Sequence, residues 1–172
     1  MRNKLVSMQT KGYSLLEILI VLVIIGVVFS VGIAQFRDFS RRQAVRVAAR
    51  QLLGDIREIQ SQALSGKKPA GCTGTFNGIR FAMTGSSGPP QYEIQAQCST
   101  ASPAANVKTL ADSVYIQTPL PGDVVFRTVA NGTNLVAGSS RVVTVCASGI
   151  SGGISLTISA SGDVTETEVT CP

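Results

Sequence analysis

From Ile18 to Phe36 the chain runs nineteen residues without a charge. At the helical rise of 1.5 Å per residue that run spans roughly 28 Å, close to the thickness of a bilayer core. A helix buried in a soluble core is seldom apolar on every face, so the run reads as a membrane segment. Beyond Phe36 the pattern changes. Val45, Ala48, Ala49, Leu52, Ile56, Ile59 and Ala63 recur at steps of three and four, with Arg42, Arg46, Arg50 and Arg57 largely on other faces. That is an amphipathic helix. Ser65-Gly66 followed by Pro69 closes it, because Gly suits a helix C-cap and Pro cannot continue the helix. The sequence therefore predicts one helix from residue 13 to about 65, roughly 80 Å long. A globule of 172 residues cannot bury such a length. One end must lie in lipid or against other copies.

After the helix the period falls to two. "FNGIRFAMT" and "QYEIQAQ" flank the turn-rich "GSSGPP" and read as a hairpin. "VVFRTV", "RVVTVCA", "ISLTISA" and "DVTETEV" follow as further strands, and residues 99–112 read as a loop. Alternation is clearest where Ile154, Leu156 and Ile158 interleave with Ser155, Thr157 and Ser159, the mark of an antiparallel sheet with one face buried. The amphipathic half of the helix is its natural cover. The fold class predicted is α+β: a long N-terminal helix, transmembrane and then amphipathic, packed on a C-terminal antiparallel β-sheet. The segments are a short basic stretch at 1–12, a transmembrane helix half at 13–36, an amphipathic half at 37–66 and a β-rich head at 67–172.

Charge sharpens this division. The net charge is +5, yet from Gly66 onward six bases meet six acids. The excess is membrane-proximal, in Arg2, Lys4 and Lys11 before the apolar run and in Arg37, Arg41, Arg42, Arg46, Arg50 and Arg57 after it. Such residues favour the cytoplasmic side and contact lipid headgroups. The chain has no histidine. That excludes imidazole acid–base chemistry, a Ser-His-Asp triad and imidazole metal ligation. The four cysteines, Cys72, Cys98, Cys146 and Cys171, include no Cys-x-x-Cys pair, so no zinc site is expected. An even count at wide spacing in an exported region points to two disulfides and an oxidising compartment. Three connectivities are open. Cys72–Cys98 and Cys146–Cys171 are favoured, since each would tie the ends of a stretch read as adjacent strands.

The stretch "KGYSLLEILIVLVIIG" (residues 11–26) sets one acid, Glu17, at the edge of the apolar run, with Lys11-Gly12 ahead of it. An ordinary secretory signal has a shorter apolar region and no use for Glu17. A plain anchor leaves Glu17 as a cost of up to about 2.5–3.5 kcal/mol, less near the interface. A cut between Gly12 and Tyr13 uses every odd residue. It frees an α-amine at Tyr13, cationic below about pH 8. Glu17 then stands four residues on, at a helix N-terminus whose dipole favours an acid. When copies pack side by side, Glu17 of one can neutralise the amine of another and so set their register.

Those residues resemble the processing and methylation motif of type IV prepilins and type II secretion pseudopilins. Gly12, Tyr13 and Glu17 occupy the family's last leader position, first mature position and acidic fifth position, with Tyr13 standing where Phe is more usual. The resemblance implies a leader at 1–12, cleavage after Gly12 by an inner-membrane prepilin peptidase, and N-methylation at Tyr13. It implies a pilin-like fold, an inner-membrane single-pass anchor with the head in the periplasm or outside, and partners in other pilin subunits, the assembly platform and membrane lipid. The family's helix-kinking proline would fall near Ala34 and is absent. "RRQAVRVAARQLLGDIREIQSQALSGKKPAG" followed by a β-rich region is similar to the GspH/FimT group of minor pseudopilins. No dense acidic cluster matches the calcium loop of other members, and no cofactor is expected.

Two other function classes fit the sequence less well. FimT-like members can bind DNA through a Gly-Arg-x-Arg motif in a competence pilus. The nearest stretch here, Gly162-Asp163-Val164-Thr165, has an acid and a neutral residue at the arginine positions, and Glu166 and Glu168 further disfavour phosphate. This stretch therefore argues against nucleic acid as a partner. An anchored enzyme lacks a histidine, an acid pair or a glycine-rich phosphate loop, and "GISGG" at 149–153 reads as a loop between strands.

Overall fold

The computed structural model describes residues 12–84, 89–128 and 132–172. The basic stretch at 1–12 therefore lies outside the described residues, apart from Gly12, as does most of the stretch at 85–90 read from the sequence as turn-rich. The fold is α+β. Helix α1 covers Leu15–Ser65. Eight strands follow: β1 (Phe76–Thr84), β2 (Gln91–Cys98), β3 (Asn106–Thr109), β4 (Val114–Ile116), β5 (Val124–Arg127), β6 (Ser140–Ala147), β7 (Gly152–Ser159) and β8 (Val164–Thr170). The chain divides into two units, Met1–Arg37 and Asp38–Pro172.

Two expectations are corrected. The sequence predicts one sheet; the structure has two, each antiparallel and four-stranded, in the orders β3-β2-β1-β5 and β4-β6-β7-β8. Alternation reports that a strand buries one face. It does not report which distant strand lies beside it, and the pairings of β1 with β5 and β4 with β6 are both non-local. Residues 99–112 are not all loop, since β3 lies within them. In β3 the usual pattern is inverted. Val107 is exposed, while the half-buried Lys108 reaches inward to Asp55, Nζ to Oδ1 2.8 Å. An apolar-in rule applied to Asn-Val-Lys-Thr therefore misses the strand.

The unit Asp38–Pro172 is built around one core. Val45, Ala48, Ala49, Leu52, Ile56, Ile59 and Ala63 of α1 are buried with Phe81, Tyr92, Val145, Leu156 and Ile158 of the sheets. The helical stripe is therefore the face that closes on the strands, and fully burying each of its larger side chains stabilises by about 1.5–3 kcal/mol. At its end Gly66 turns left-handed, φ +62°, and its N–H donates to the carbonyl of Ala63 at 3.1 Å. A polar junction fixes the helix against β2 and β3. The Tyr92 hydroxyl donates to Asp55 Oδ2, Gln51 Nε2 donates to the same hydroxyl at 3.1 Å, and Lys108 pairs with the other carboxylate oxygen. Burial first, and the hydrogen bond to Asp55 second, push the Tyr92 hydroxyl above its ordinary pKa of 10.0.

The sulfurs of Cys72 and Cys98 are bonded, as are those of Cys146 and Cys171, with Cα separations of 5.7 and 6.0 Å. The first joins the approach to β1 to the end of β2; the second joins β6 to the residue after β8. Each closes a loop that removes about 3–4 kcal/mol of unfolded-state entropy in the chain-entropy model. Gly153 is where the second bridge presses on the backbone. A Cβ there would collide with Cys171 Sγ and lie 2.8 Å from the Val145 carbonyl oxygen, whereas one on Gly152 meets nothing within 4 Å.

Two outcomes follow. Gly153→Ala is expected to leave Cys146 and Cys171 incompletely bonded and to lose stability on the order of the bridge, about 3 kcal/mol. Gly152→Ala is expected to stay within about 0.5 kcal/mol of the parent. Thiol alkylation with mass detection and urea midpoints read both. For Tyr92, the unfolded side chain ionises above about pH 10 while the native one keeps its proton. Its share of stability is thus complete below that pH and falls above it, at up to about 1.4 kcal/mol per pH unit. Urea midpoints taken on either side of that pH should show a flatter alkaline decline in Tyr92→Phe than in the parent.

Candidate functional site

The candidate site is the start of α1. Gly12 and Tyr13 precede the helix, and Ser14 caps it. The Ser14 carbonyl accepts from the Ile18 N–H at 3.2 Å, and its Oγ accepts from the Leu16 N–H at 3.3 Å. Ser14 is thus the N-cap, and Ser14-Leu15-Leu16-Glu17 has the Ser-x-x-Glu form of a capping box with Glu17 at N3. Sequence reasoning took up Glu17 and passed over Ser14, although the Ser-x-x-Glu spacing was there to be read. The cap fixes where the helix begins and so sets Glu17 in the first turn, near N–H groups that have no partner inside the helix.

The described side chains of this stretch are exposed. Tyr13 is 78 % exposed and Leu15 91 % exposed, and Glu17 is exposed. The large apolar side chains from Ile18 to Phe36 that the structure describes are all exposed too. A Cβ added to Gly12 meets nothing within 4 Å, so the fold itself does not require glycine there. Among the described residues α1 is the one helix long and apolar enough to cross a membrane.

The other candidate residues are placed as follows. The four cysteines form the two bridges and contribute no free thiol. Gly162, φ +96°, makes the turn from β7 to β8, and Asp163 Oδ2 accepts from Ser161 Oγ at 2.7 Å. Glu166 and Glu168 are exposed on β8. This corner therefore presents acids where a phosphate-binding turn would present arginines. Among the described residues no group of three or more Cys, Asp or Glu side chains is arranged to hold a metal ion.

The prokaryotic N-terminal methylation motif matches residues 7–33. No curated protein and no solved structure gives a significant match. The matched motif is of the prepilin type. With one apolar N-terminal helix it fits a single-pass, membrane-anchored protein of the type IV pilin and pseudopilin kind, processed by prepilin peptidase. It suggests a structural subunit rather than an enzyme.

Proposed function

We propose that the chain is a minor pilin-like subunit, similar to the GspH/FimT group, of a type IV pilus or a type II secretion pseudopilus. The observation that carries this reading is the match of the methylation motif over the residues that hold Gly12, Tyr13 and Glu17, followed by an apolar helix whose described large side chains are exposed. In this reading residues 1–12 are the leader, residues 13–36 the membrane half of the helix, and residues 67–172 the exported head. The peptidase cuts the Gly12–Tyr13 bond and the new amine of Tyr13 is methylated. The helix waits in the inner membrane with its head in the periplasm. An assembly platform then draws it into the filament, where lipid is exchanged for the helices of sister subunits.

Glu17 gains its partner only at that last step. Inside the filament a cationic amine without a counter-charge would cost about 3–5 kcal/mol, the usual penalty for breaking a buried pair. Glu17 of a neighbouring subunit offsets it. The two bridges fit a head that folds in an oxidising compartment. A DNA-binding role in a competence pilus gains no support from the acids at 163–168.

The N-terminal mass of protein recovered from cell envelopes tests the cut and the methyl group together. The expected species starts at Tyr13 and carries one added methyl. Gly12→Val should stop processing while the Cys72–Cys98 and Cys146–Cys171 bridges still form, because the fold leaves room for a side chain at residue 12. Glu17→Leu should be processed normally yet enter filaments roughly tenfold less, or worse, given the cost of the unpaired amine. Normal incorporation of Glu17→Leu would remove the pairing role. Recovery of the unprocessed chain from cells that hold the peptidase would remove the whole reading.

A further inference from the structure

The arginines that follow the apolar run enter none of the head's ion pairs among the described residues. Those pairs are Arg80 with Glu93 and Asp123, and Lys108 with Asp55. Arg42, Arg46 and Arg50 stand at successive steps of four along one flank of the helix, all exposed. Like charges at that spacing repel and weaken a helix, so the row costs the isolated subunit something and offers it no pairing in return. Arg41 lies on the other flank, half-buried, with its guanidinium against the backbone of Gly149 in the β6–β7 loop. The acids near this end are Asp38, on the helix, and Glu168, which shares a cavity of about 130 Å³ with Arg42, Arg46 and Gly153. They leave the segment from Arg41 to Arg50 positive.

We infer that Arg41 and Arg42 form a collar that binds anionic phospholipid headgroups at the membrane surface and so holds the base of the head there before assembly. The inference rests on the membrane-spanning reading of Ile18–Phe36. Distance separates the arginines close to the span from those farther along the helix. Arg41 and Arg42 follow Phe36 by five and six positions, about 8–9 Å in a helix. The headgroup layer is about 5–8 Å deep on each side of the core, and a further Debye length adds about 8 Å. Arg37, Arg41 and Arg42 fall within that reach, and Arg46 lies at its limit, about 15 Å along the helix. Arg57, fifteen residues beyond Arg42, is about 23 Å farther along the helix and outside it. A phosphodiester also suits a guanidinium better than an ammonium, because two N–H groups meet two oxygens.

The test uses the full-length chain in phosphatidylcholine vesicles carrying trace spin-labelled phosphatidylglycerol or phosphatidylcholine. Retention of the protein through an alkaline carbonate wash comes first. Its release would overturn the span, and the collar with it. With the protein retained, the immobilised fraction of each spin label gives the lipid preference. The expected preference for phosphatidylglycerol is on the order of fivefold at low ionic strength, falling toward unity near 1 M salt, where the screening length is about 3 Å. Arg41→Gln with Arg42→Gln should lower it by about twofold or more, the remainder resting on Arg37, Arg46 and the bases before the span. Arg41→Lys with Arg42→Lys should keep much of it, which separates charge from any loss of packing on Gly149. Arg57→Gln should leave it unchanged. Equal immobilisation of the two labels would overturn the collar while leaving the span intact. An Arg57→Gln effect as large as that of the collar pair would overturn it too, by tracing the preference to net charge alone.

Discussion

Among the described residues, sixteen large apolar side chains from Tyr13 to Phe36 are exposed. At about 1.5–3 kcal/mol each for full burial, their transfer out of water is worth tens of kcal/mol. That exceeds the net stability of a typical domain, about 5–15 kcal/mol. No arrangement of the head can offset such exposure, so the environment must supply the cover. Lipid does so in one stage of the proposed cycle and sister helices in the other. The two covers are close in free energy, because a lipid tail is about as apolar as a leucine side chain. What separates them is polar, and the start of the helix holds the polar groups.

The same helix follows two rules along its length. Its first part is apolar all round, and the large side chains described there are exposed. Its second part, within the unit Asp38–Pro172, is two-faced and buries its stripe against both sheets. The junction of Gln51, Asp55, Tyr92 and Lys108 adds direction to that burial. Greasy contact alone would let the helix slide along the sheets by a turn. A carboxylate shared between a tyrosine of β2 and a lysine of β3 has only one register that satisfies all its partners. The sheet edge at β3 is therefore locked to the helix by charge, with its one valine left outside.

Much of this was legible beforehand. The helix, the hairpin of β1 and β2, and the strands β6, β7 and β8 follow from periods of 3.6 and 2, which depend on local sequence alone. The end of the helix was marked by Gly66 and Pro69. The division into two sheets was not legible, because strand neighbours are chosen over distances of tens of residues. Nor was β3, where an inward lysine defeats any rule based on hydropathy. At the candidate site Gly12, Tyr13 and Glu17 stood out because each is costly or odd in an apolar run. Ser14 did not, since a serine before a helix is ordinary until its hydrogen bond is seen.

The two bridges also shape how the head would respond to tension. Their rings span 72–98 and 146–171, one after the other, with no overlap in the chain. A load entering through α1 and leaving at Pro172 can unravel the segment between the rings but not the rings themselves. Each withholds about 25 residues of slack, so with bridges intact the stretched contour falls short of the reduced chain's by roughly 170 Å, at about 3.4 Å per residue. In the proposed role, tension would thus leave two stretches of about 25 residues unextended even after the core had opened.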